Sequence, residues 1–343
     1  MCSPAGGNQG ESSSALFLNG RGGLRPPTPP SSAGPQMAQH FEHRSVMVDP
    51  VVGVLAHLPA GLVVDATAGG GGHSAAILEA APQLSVLAID RDPVAVAAAS
   101  GRLAGFGGRA EVVHATFAQL GELLNGRRPI GLLLDLGVSS PQIDEVERGF
   151  SWRFDAPLDM RMDQSTGRGA AEYLAEVDVE TLTKLLRQHG EGRLARRIAE
   201  AIVRVRPTST AQLASVVEAA VPAALRRRGH PARRVFQALR VEVNDEEGQL
   251  AAVLSQALEL VLPGGCVVVL SYHSGEDRVV KAAFDEAASG GCTCPPRLPC
   301  GCGAMSLGHP ASRSAAKASA EEVAANPRAE AARMRVFWRS EDA

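Results

Sequence analysis

A short β-branched run, Leu62 to Asp65, gives way to four consecutive glycines, Gly69 to Gly72, and then to His73 and Ser74. Glycines let the backbone turn tightly and let a ligand approach peptide that a Cβ would cover. About 20 residues further on, the run Leu87-Ala88-Ile89-Asp90 ends in a carboxylate placed to accept hydrogen bonds from ribose hydroxyls. Strand, glycine turn, helix start and distal acid together predict a loop for a nucleotide-like cofactor. Its identity stays open at this point. Gly70-Gly71-Gly72-His73-Ser74-Ala75 satisfies the relaxed dinucleotide pattern, which suits NAD, whereas S-adenosylmethionine uses the same ribose chemistry without a pyrophosphate.

Two further segments carry chemistry-bearing residues. Ile130 to Asp135 is a buried-type run that opens into Ser139-Ser140-Pro141-Gln142, a polar loop at the sheet edge where open α/β folds bind ligands. Cys292, Cys294, Cys300 and Cys302 form two CxC pairs. In a reducing cytosol they are thiols or metal ligands. Four thiolates suit one tetrahedral zinc, but the usual structural spacing is CxxC, so a zinc site and a reduced, proline-rich surface loop both stand. Cys266 lies inside an apolar strand and reads as core.

The elements that must position these residues alternate. A helix-like run at 48–58 precedes strand 62–65, helix 73–81, strand 85–89, helix 93–103, strand 111–114, helix 117–124 and strand 130–135. Such alternation predicts a doubly wound parallel sheet. From 144 to 262 it stops, and helices are expected near 178–189, 193–204, 210–220 and 232–261. Strand 266–270, helix 275–288 and strand 334–338 resume the pattern. The expected organisation is one α/β domain made of 39–143 and 241–343, interrupted by a helical insertion at 144–240.

The chain has 343 residues with a net charge of −3, which excludes a globally basic nucleic-acid binder but not a local basic patch. Residues 187–240 hold 12 Arg against three Glu. That local excess marks the insertion as a phosphate-binding surface, with Arg226, Arg227, Arg228, Arg233 and Arg234 flanking a Gly-His-Pro loop. Residues 1–36 hold seven Gly, six Pro and six Ser, so 1–38 is expected to be a disordered tail or an over-extended start ahead of Met37. The tail lacks the basic start and apolar stretch of a secretory signal, and no apolar run approaches the roughly 20 residues of a membrane helix. A cytoplasmic protein without a membrane partner is expected.

Read in order, several segments resemble one family: His43-Arg-Ser-Val-Met-Val, the Gly-Gly-His turn, Asp135-Leu-Gly-Val-Ser-Ser-Pro-Gln, and Arg148-Gly-Phe-Ser-Trp-Arg-Phe-Asp-Ala-Pro-Leu-Asp159-Met-Arg-Met-Asp163. Phe236 to Glu246, Ser271 to Arg278 and Asn326-Pro-Arg continue the likeness. Together they are similar to the bacterial ribosomal RNA small-subunit methyltransferase H family, from about His40 to Trp338. The resemblance implies a Rossmann-like, S-adenosylmethionine-dependent fold and methylation of the N4 amine of a cytidine in 16S ribosomal RNA of the small subunit. It also implies cofactor contacts from Gly71, Gly72, His73, Asp90, Phe117, Asp135 and Gln142. Two departures stand out. The turn carries glycine where a bulkier residue is expected, and Tyr272 and Gly275 replace the usual phenylalanine and leucine.

An exocyclic cytosine amine is a poor nucleophile, because its lone pair is delocalised into the ring. It must be held in line with the methyl donor while acceptors take its N–H groups. Asp135 and Asp159 are the carboxylate candidates, and His273 is either a base-orienting group or a structural histidine. Phe150, Trp152 and Phe154 alternate and form either a stacking platform for an extruded base or insertion core. Asn244, Asp245 and Glu246 are expected to fix the insertion to the sheet domain. Two other readings remain: an amino-methyltransferase acting on DNA or protein, and an NAD-linked oxidoreductase, which leaves the arginine cluster without a role. No residue pattern demonstrates a homodimer, and that partner stays open.

Overall fold

Strands buried on both faces define the centre of the molecule. In the computed structural model, which describes residues 45–223, 230–295 and 301–342, the strands are β1 (Gly61–Asp65), β2 (Leu84–Asp90), β3 (Ala110–His114), β4 (Gly131–Asp135), β5 (Cys266–Ser271), β6 (Gly308–Pro310), β7 (Ala316–Lys317) and β8 (Arg333–Arg339). They join in one sheet of order β3-β2-β1-β4-β5-β8-β6, with β7 pairing β8. Strands β1 to β5 run parallel, while β8 lies antiparallel to β5. The tail, Arg226, Arg227, Arg228 and Cys300 lie outside the described residues.

Alternation along each strand sends side chains to opposite faces. Val63, Leu133, Val268 and Leu270 join one apolar cluster, covered by Val51 and Leu55 of α1 (Val48–Leu55) and by Ile77 and Leu78 of α2 (Gly72–Ala80). Leu103 at the end of α3 (Pro93–Leu103) joins the same side. Val64, Leu132, Leu134, Val267 and Val269 join the other cluster. It is closed by α4 (Leu120–Leu124) and by two later helices described below. Strand β4 then ends, and the short α5 (Ser140–Asp144) follows.

The helical excursion comprises α6 (Ala170–Glu176), α7 (Val179–Gln188), α8 (Ala195–Val205), α9 (Thr210–Ala220) and α10 (Ala232–Val243). Two starts are written locally: Asp178 accepts the Thr181 N–H at 2.8 Å, and Ser209 accepts the Gln212 N–H at 3.3 Å, the N-cap contacts expected of these residue types. Leu182, Ile198, Ile202 and Leu213 are fully buried in a third cluster. Each such side chain contributes roughly 1.5–3 kcal/mol of burial.

The expected single helix at 232–261 is two helices. The chain breaks at Asn244 and Asp245, whose φ is +48°, before α11 (Glu246–Leu260) begins. The Asn244 amide explains the break: it donates to Met160 O and accepts the Met162 N–H, both at 2.8 Å. A helical side chain is thereby spent on a distant loop. Helix α11 and α12 (Ser274–Ser289) cover the second sheet face, and α13 (Ala320–Ala325) precedes β8.

Candidate active site

The carboxyl ends of three strands that lie side by side in the order β2-β1-β4 each finish on an aspartate: Asp90, Asp65 and Asp135. The glycine turn sits over this row. Asp90 Oδ2 accepts the Gly69 N–H and its Oδ1 accepts the Asp92 N–H, both at 2.8 Å. A carboxylate offers about four acceptor positions, so Asp90 holds the turn and retains capacity for hydroxyl donors. Burial pushes its carboxyl up to about 6, against those two N–H donors.

The four glycines have two different jobs. A Cβ on Gly71, whose φ is +76°, would meet Ala99 Cα at 3.2 Å, and one on Gly72 would strike the Ser45 hydroxyl. These two are glycine because helix α3 and the 45–47 segment press against the turn. Cβ atoms on Gly69 or Gly70 would meet nothing within 4 Å, so the backbone in the first half of the turn faces open space.

Asp65 and Asp135 are tied to the start of α2. Ser74 Oγ donates to Asp65 Oδ2 at 2.6 Å, and burial raises the Asp65 carboxyl above its usual range. His73 Nε2 donates to Val46 O at 2.9 Å and turns Nδ1 to within 3.6 Å of Asp135 Oδ2. The Tyr272 hydroxyl donates to Asp135 Oδ1 at 2.7 Å, and the Asp135 N–H donates to Thr67 Oγ1 at 2.6 Å. Burial pushes the Asp135 carboxyl up to about 6, although His73 and the Tyr272 hydroxyl pull the other way. Ser139 Oγ, four residues further on, is buried with no hydrogen-bond partner among the described residues. An orphaned hydroxyl, exposed turn backbone and acceptors with spare lone pairs form a donor set that fits a ligand bearing hydroxyls and a positive charge.

Gln142 braces this site through the loop. Its Oε1 accepts the Ser139 N–H and its Nε2 donates to Asp92 Oδ2, both at 2.9 Å. Arg148 donates to the same Asp92 oxygen at 2.9 Å and to Met162 O at 2.8 Å. Both members of this ion pair are buried. Phe117 opens a short 3-10 turn and packs, half-buried, against the second sheet cluster.

Asp159 and His273 are engaged differently from Asp135. The Arg161 guanidinium donates to both carboxylate oxygens of Asp159, at 2.9 and 2.7 Å. Its carboxyl lies below the usual range, because that guanidinium and the Arg161 N–H outweigh a burial penalty. His273 caps α12: its Nδ1 accepts the Gly275 and Glu276 N–H groups at 3.2 and 3.3 Å, and its Nε2 stands 3.0 Å from Glu276 Oε1. The structure therefore joins His73 to Asp135 and, through Asp92, Asp90 to Gln142, with Gly71 and Gly72 in the turn that Asp90 holds, and gives Asp159 and His273 local structural partners.

The family model for the MraW methylase family matches residues 40–340. The chain belongs to the MraW methylase family. Among its relatives, the ribosomal RNA small subunit methyltransferase H of Heliobacterium modesticaldum is 46% identical over 310 residues, covering 86% of this chain and 97% of that protein. The enzyme of the same name from Symbiobacterium thermophilum is 45% identical, over 86% of this chain and 96% of its own. That from Cutibacterium acnes is 47% identical over 80% and 84%. The sheet is that of a Rossmann-like methyltransferase, and membership of a methylase family removes the NAD-linked oxidoreductase as a reading.

In this MraW-family chain the helical excursion carries the remaining expected residues. Trp152 stacks on His230 at 5.8 Å between ring centroids and meets Phe236 edge-on at 6.1 Å. Phe150 and Trp152 pack against the helical core, whereas Phe154 is 55% exposed, so the alternating aromatics do not share one surface. Arg233 is exposed, and Arg234 reaches the Gly190 carbonyl at 3.5 Å. Two arginines of the cluster serve the fold: Arg206 caps the Leu174 and Val177 carbonyls, and Arg240 forms a two-oxygen pair with Glu246 at 2.7 and 2.8 Å. Arg187, Arg193, Arg196, Arg197 and Arg204 are exposed, and a groove is lined by Lys184, Arg187 and Arg196 together with Glu180, Thr183 and Gln188. Among the described residues no helix is long and apolar enough to cross a membrane.

Sequence reasoning missed the part that five residues play in the site. Asp65 closes β1 immediately before the glycine turn, and a strand-terminal acid beside a glycine run was the available signal. Thr67 and the Asp92–Arg148 pair gave no local signal, since each acts across the fold. Tyr272 was visible only as a departure from phenylalanine, and its added hydroxyl is the atom that reaches Asp135.

Proposed function

We propose that this chain transfers a methyl group from S-adenosylmethionine to the N4 amine of a cytidine in the 16S RNA of the small ribosomal subunit. The observation that carries this reading is the Asp90–Asp65–Asp135 row under a glycine turn, in a chain whose relatives, at 45–46% identity over nearly their full length, bear the name of a small-subunit RNA methyltransferase. S-adenosylmethionine supplies a methyl group activated by a sulfonium. The turn around Gly71, Gly72 and His73 cradles it with backbone, Asp90 takes the ribose hydroxyls and Phe117 flanks the adenine. Asp135 provides negative charge at the methionine end, and Gln142 holds the loop that closes over it.

Asp135 also accepts an N–H of the cytosine amine as positive charge develops there, which requires the ionised carboxylate. Tyr272 and His73 fix the direction of its oxygens. Asp159 and His273 act as positioning residues, the first through Arg161 and the second by starting α12 beside Tyr272. Residues 144–240 form the RNA-recognition part, with Arg233, Arg234 and the groove of Lys184, Arg187 and Arg196 on phosphates and Trp152 supporting the surface. Arg226, Arg227 and Arg228 belong to the same basic sequence.

The test is incubation with labelled S-adenosylmethionine and small subunits that lack modifications, followed by digestion and mass spectrometry of the labelled nucleoside. N4-methylcytidine, lost with Asp135→Ala, is the expected product. Label in any other nucleoside, or none in ribosomal RNA, overturns the reading.

A further inference from the structure

The loop between α12 and the sheet edge has no part in the chemistry above. It leaves α12 at Gly290, whose φ is +60° and whose Cβ, if present, would strike the Met305 backbone. It returns where the Leu307 N–H donates to Ala287 O at 2.9 Å. The neck is therefore pinched shut around residues 291–304. The stretch that it closes contributes no residue to the three apolar clusters among the described residues, and Met305 beside it is 82% exposed. Ordering a backbone costs roughly 1–2 kcal/mol per residue, and among the described residues of the loop no apolar burial offsets that cost.

What the loop does gather is sulfur. The Sγ atoms of Cys292, Cys294 and Cys302 all lie within 4.8 Å of one another, and Cys292 and Cys302 approach to 3.5 Å. A disulfide needs about 2.05 Å, so the last pair is far too long for a covalent bond. Thiolates about 2.3 Å from a tetrahedral zinc stand about 3.8 Å apart, which is the separation scale observed. Three ligands converge from both arms of a loop pinched at its neck. Cys300, two residues before Cys302 in sequence, lies outside the described residues.

We propose that Cys292, Cys294 and Cys302 bind a thiophilic divalent cation of the zinc class, as a structural clip on the α12–β6 loop. A structural site of this kind takes four donors, so one further donor completes it. The clip lies in the connection that delivers β6 to β8, whereas the glycine turn and Asp135 belong to β1 and β4. Metal loss therefore loosens the loop without emptying the cofactor site.

The experiment is elemental analysis of the full chain purified without chelator under reducing conditions, then dialysed against zinc chloride and washed. About one zinc per chain is expected, released when the thiols are modified by a mercurial. Cys292→Ser with Cys302→Ser should abolish retention while leaving S-adenosylmethionine affinity within twofold. Should that variant fail to fold, cobalt substitution of the unaltered chain decides, since thiolate ligation gives an intense charge-transfer band that zinc displaces. Failure of the intact chain to retain zinc, or peptide mapping that finds a Cys292–Cys302 disulfide instead, overturns the proposal. Neither result bears on methyl transfer.

Discussion

Replacing Asp135 by asparagine should make the protein more stable and less active. Burial lifts its carboxyl from 3.8 to about 6. At about 1.36 kcal/mol for each tenfold change, that corresponds to roughly 3 kcal/mol charged against the ionised folded state. The Asp135 side chain keeps 22% of its accessibility, and solvent screening reduces the figure to about 1–2 kcal/mol. The sign follows from proton binding. Between 3.8 and about 6 the folded chain holds this proton more tightly than the unfolded chain does, so the group's contribution is most favourable below 3.8 and is lost as pH rises through 6. Asparagine preserves the Tyr272 contact, since its Oδ1 accepts from that hydroxyl. Urea unfolding should therefore show Asp135→Asn more stable than the parent by about 1–2 kcal/mol at pH 8, with the gap falling to about half at pH 5. Methyl transfer should be lost. A variant that is less stable at pH 8, or a gap that does not narrow with acid, would refute the burial argument.

A cationic cofactor favours the ionised forms of Asp90 and Asp135, both raised to about 6, so its affinity should rise as pH increases through 6. Calorimetric titration should place the midpoint higher in Tyr272→Phe, which loses the hydroxyl that stabilises the Asp135 carboxylate. Asp92→Asn leaves the buried Arg148 with only the more distant, exposed Glu145 as counter-charge and should cost about 3 kcal/mol of stability; a chain that melts unchanged would contradict this. Arg187→Glu with Arg196→Glu, in the groove beside α7, should weaken ribosomal RNA binding and reduce its salt dependence by about one power of salt per lost phosphate contact. Filter binding at several ionic strengths reads this effect, and cofactor affinity should stay as it was.

Much of the sheet domain was legible because its elements are short and locally punctuated. Valine and leucine runs end in Asp65, Asp90 and Asp135, and glycine, Asp92-Pro93 and polar loops mark the helix starts. The break at Asn244 was hidden because the pattern of apolar residues continues across it, and only a loop some eighty positions away supplies the reason. Strands β6 and β7 hold three and two residues, too short for any periodicity, and exist through pairing with β8. At the site, residue type revealed which groups carry charge but not which are already committed. Asp159 and His273 looked as available as Asp135, and it is Arg161 and the first turn of α12 that bind them.

Strands β4 and β5 are hydrogen-bonded neighbours, yet residues 136–265 lie between them in the chain. During synthesis the β4 edge must wait, with its peptide groups unpaired, until the whole helical excursion and then β5 have emerged. Only after that does β8 arrive to cover β5. A sheet assembled from such distant partners folds slowly, and its waiting edge invites pairing with other chains. The helices of the excursion bury an apolar core drawn from residues 158–239 among themselves. The excursion is thus placed to fold before the sheet closes and to shorten the distance over which β5 must find β4.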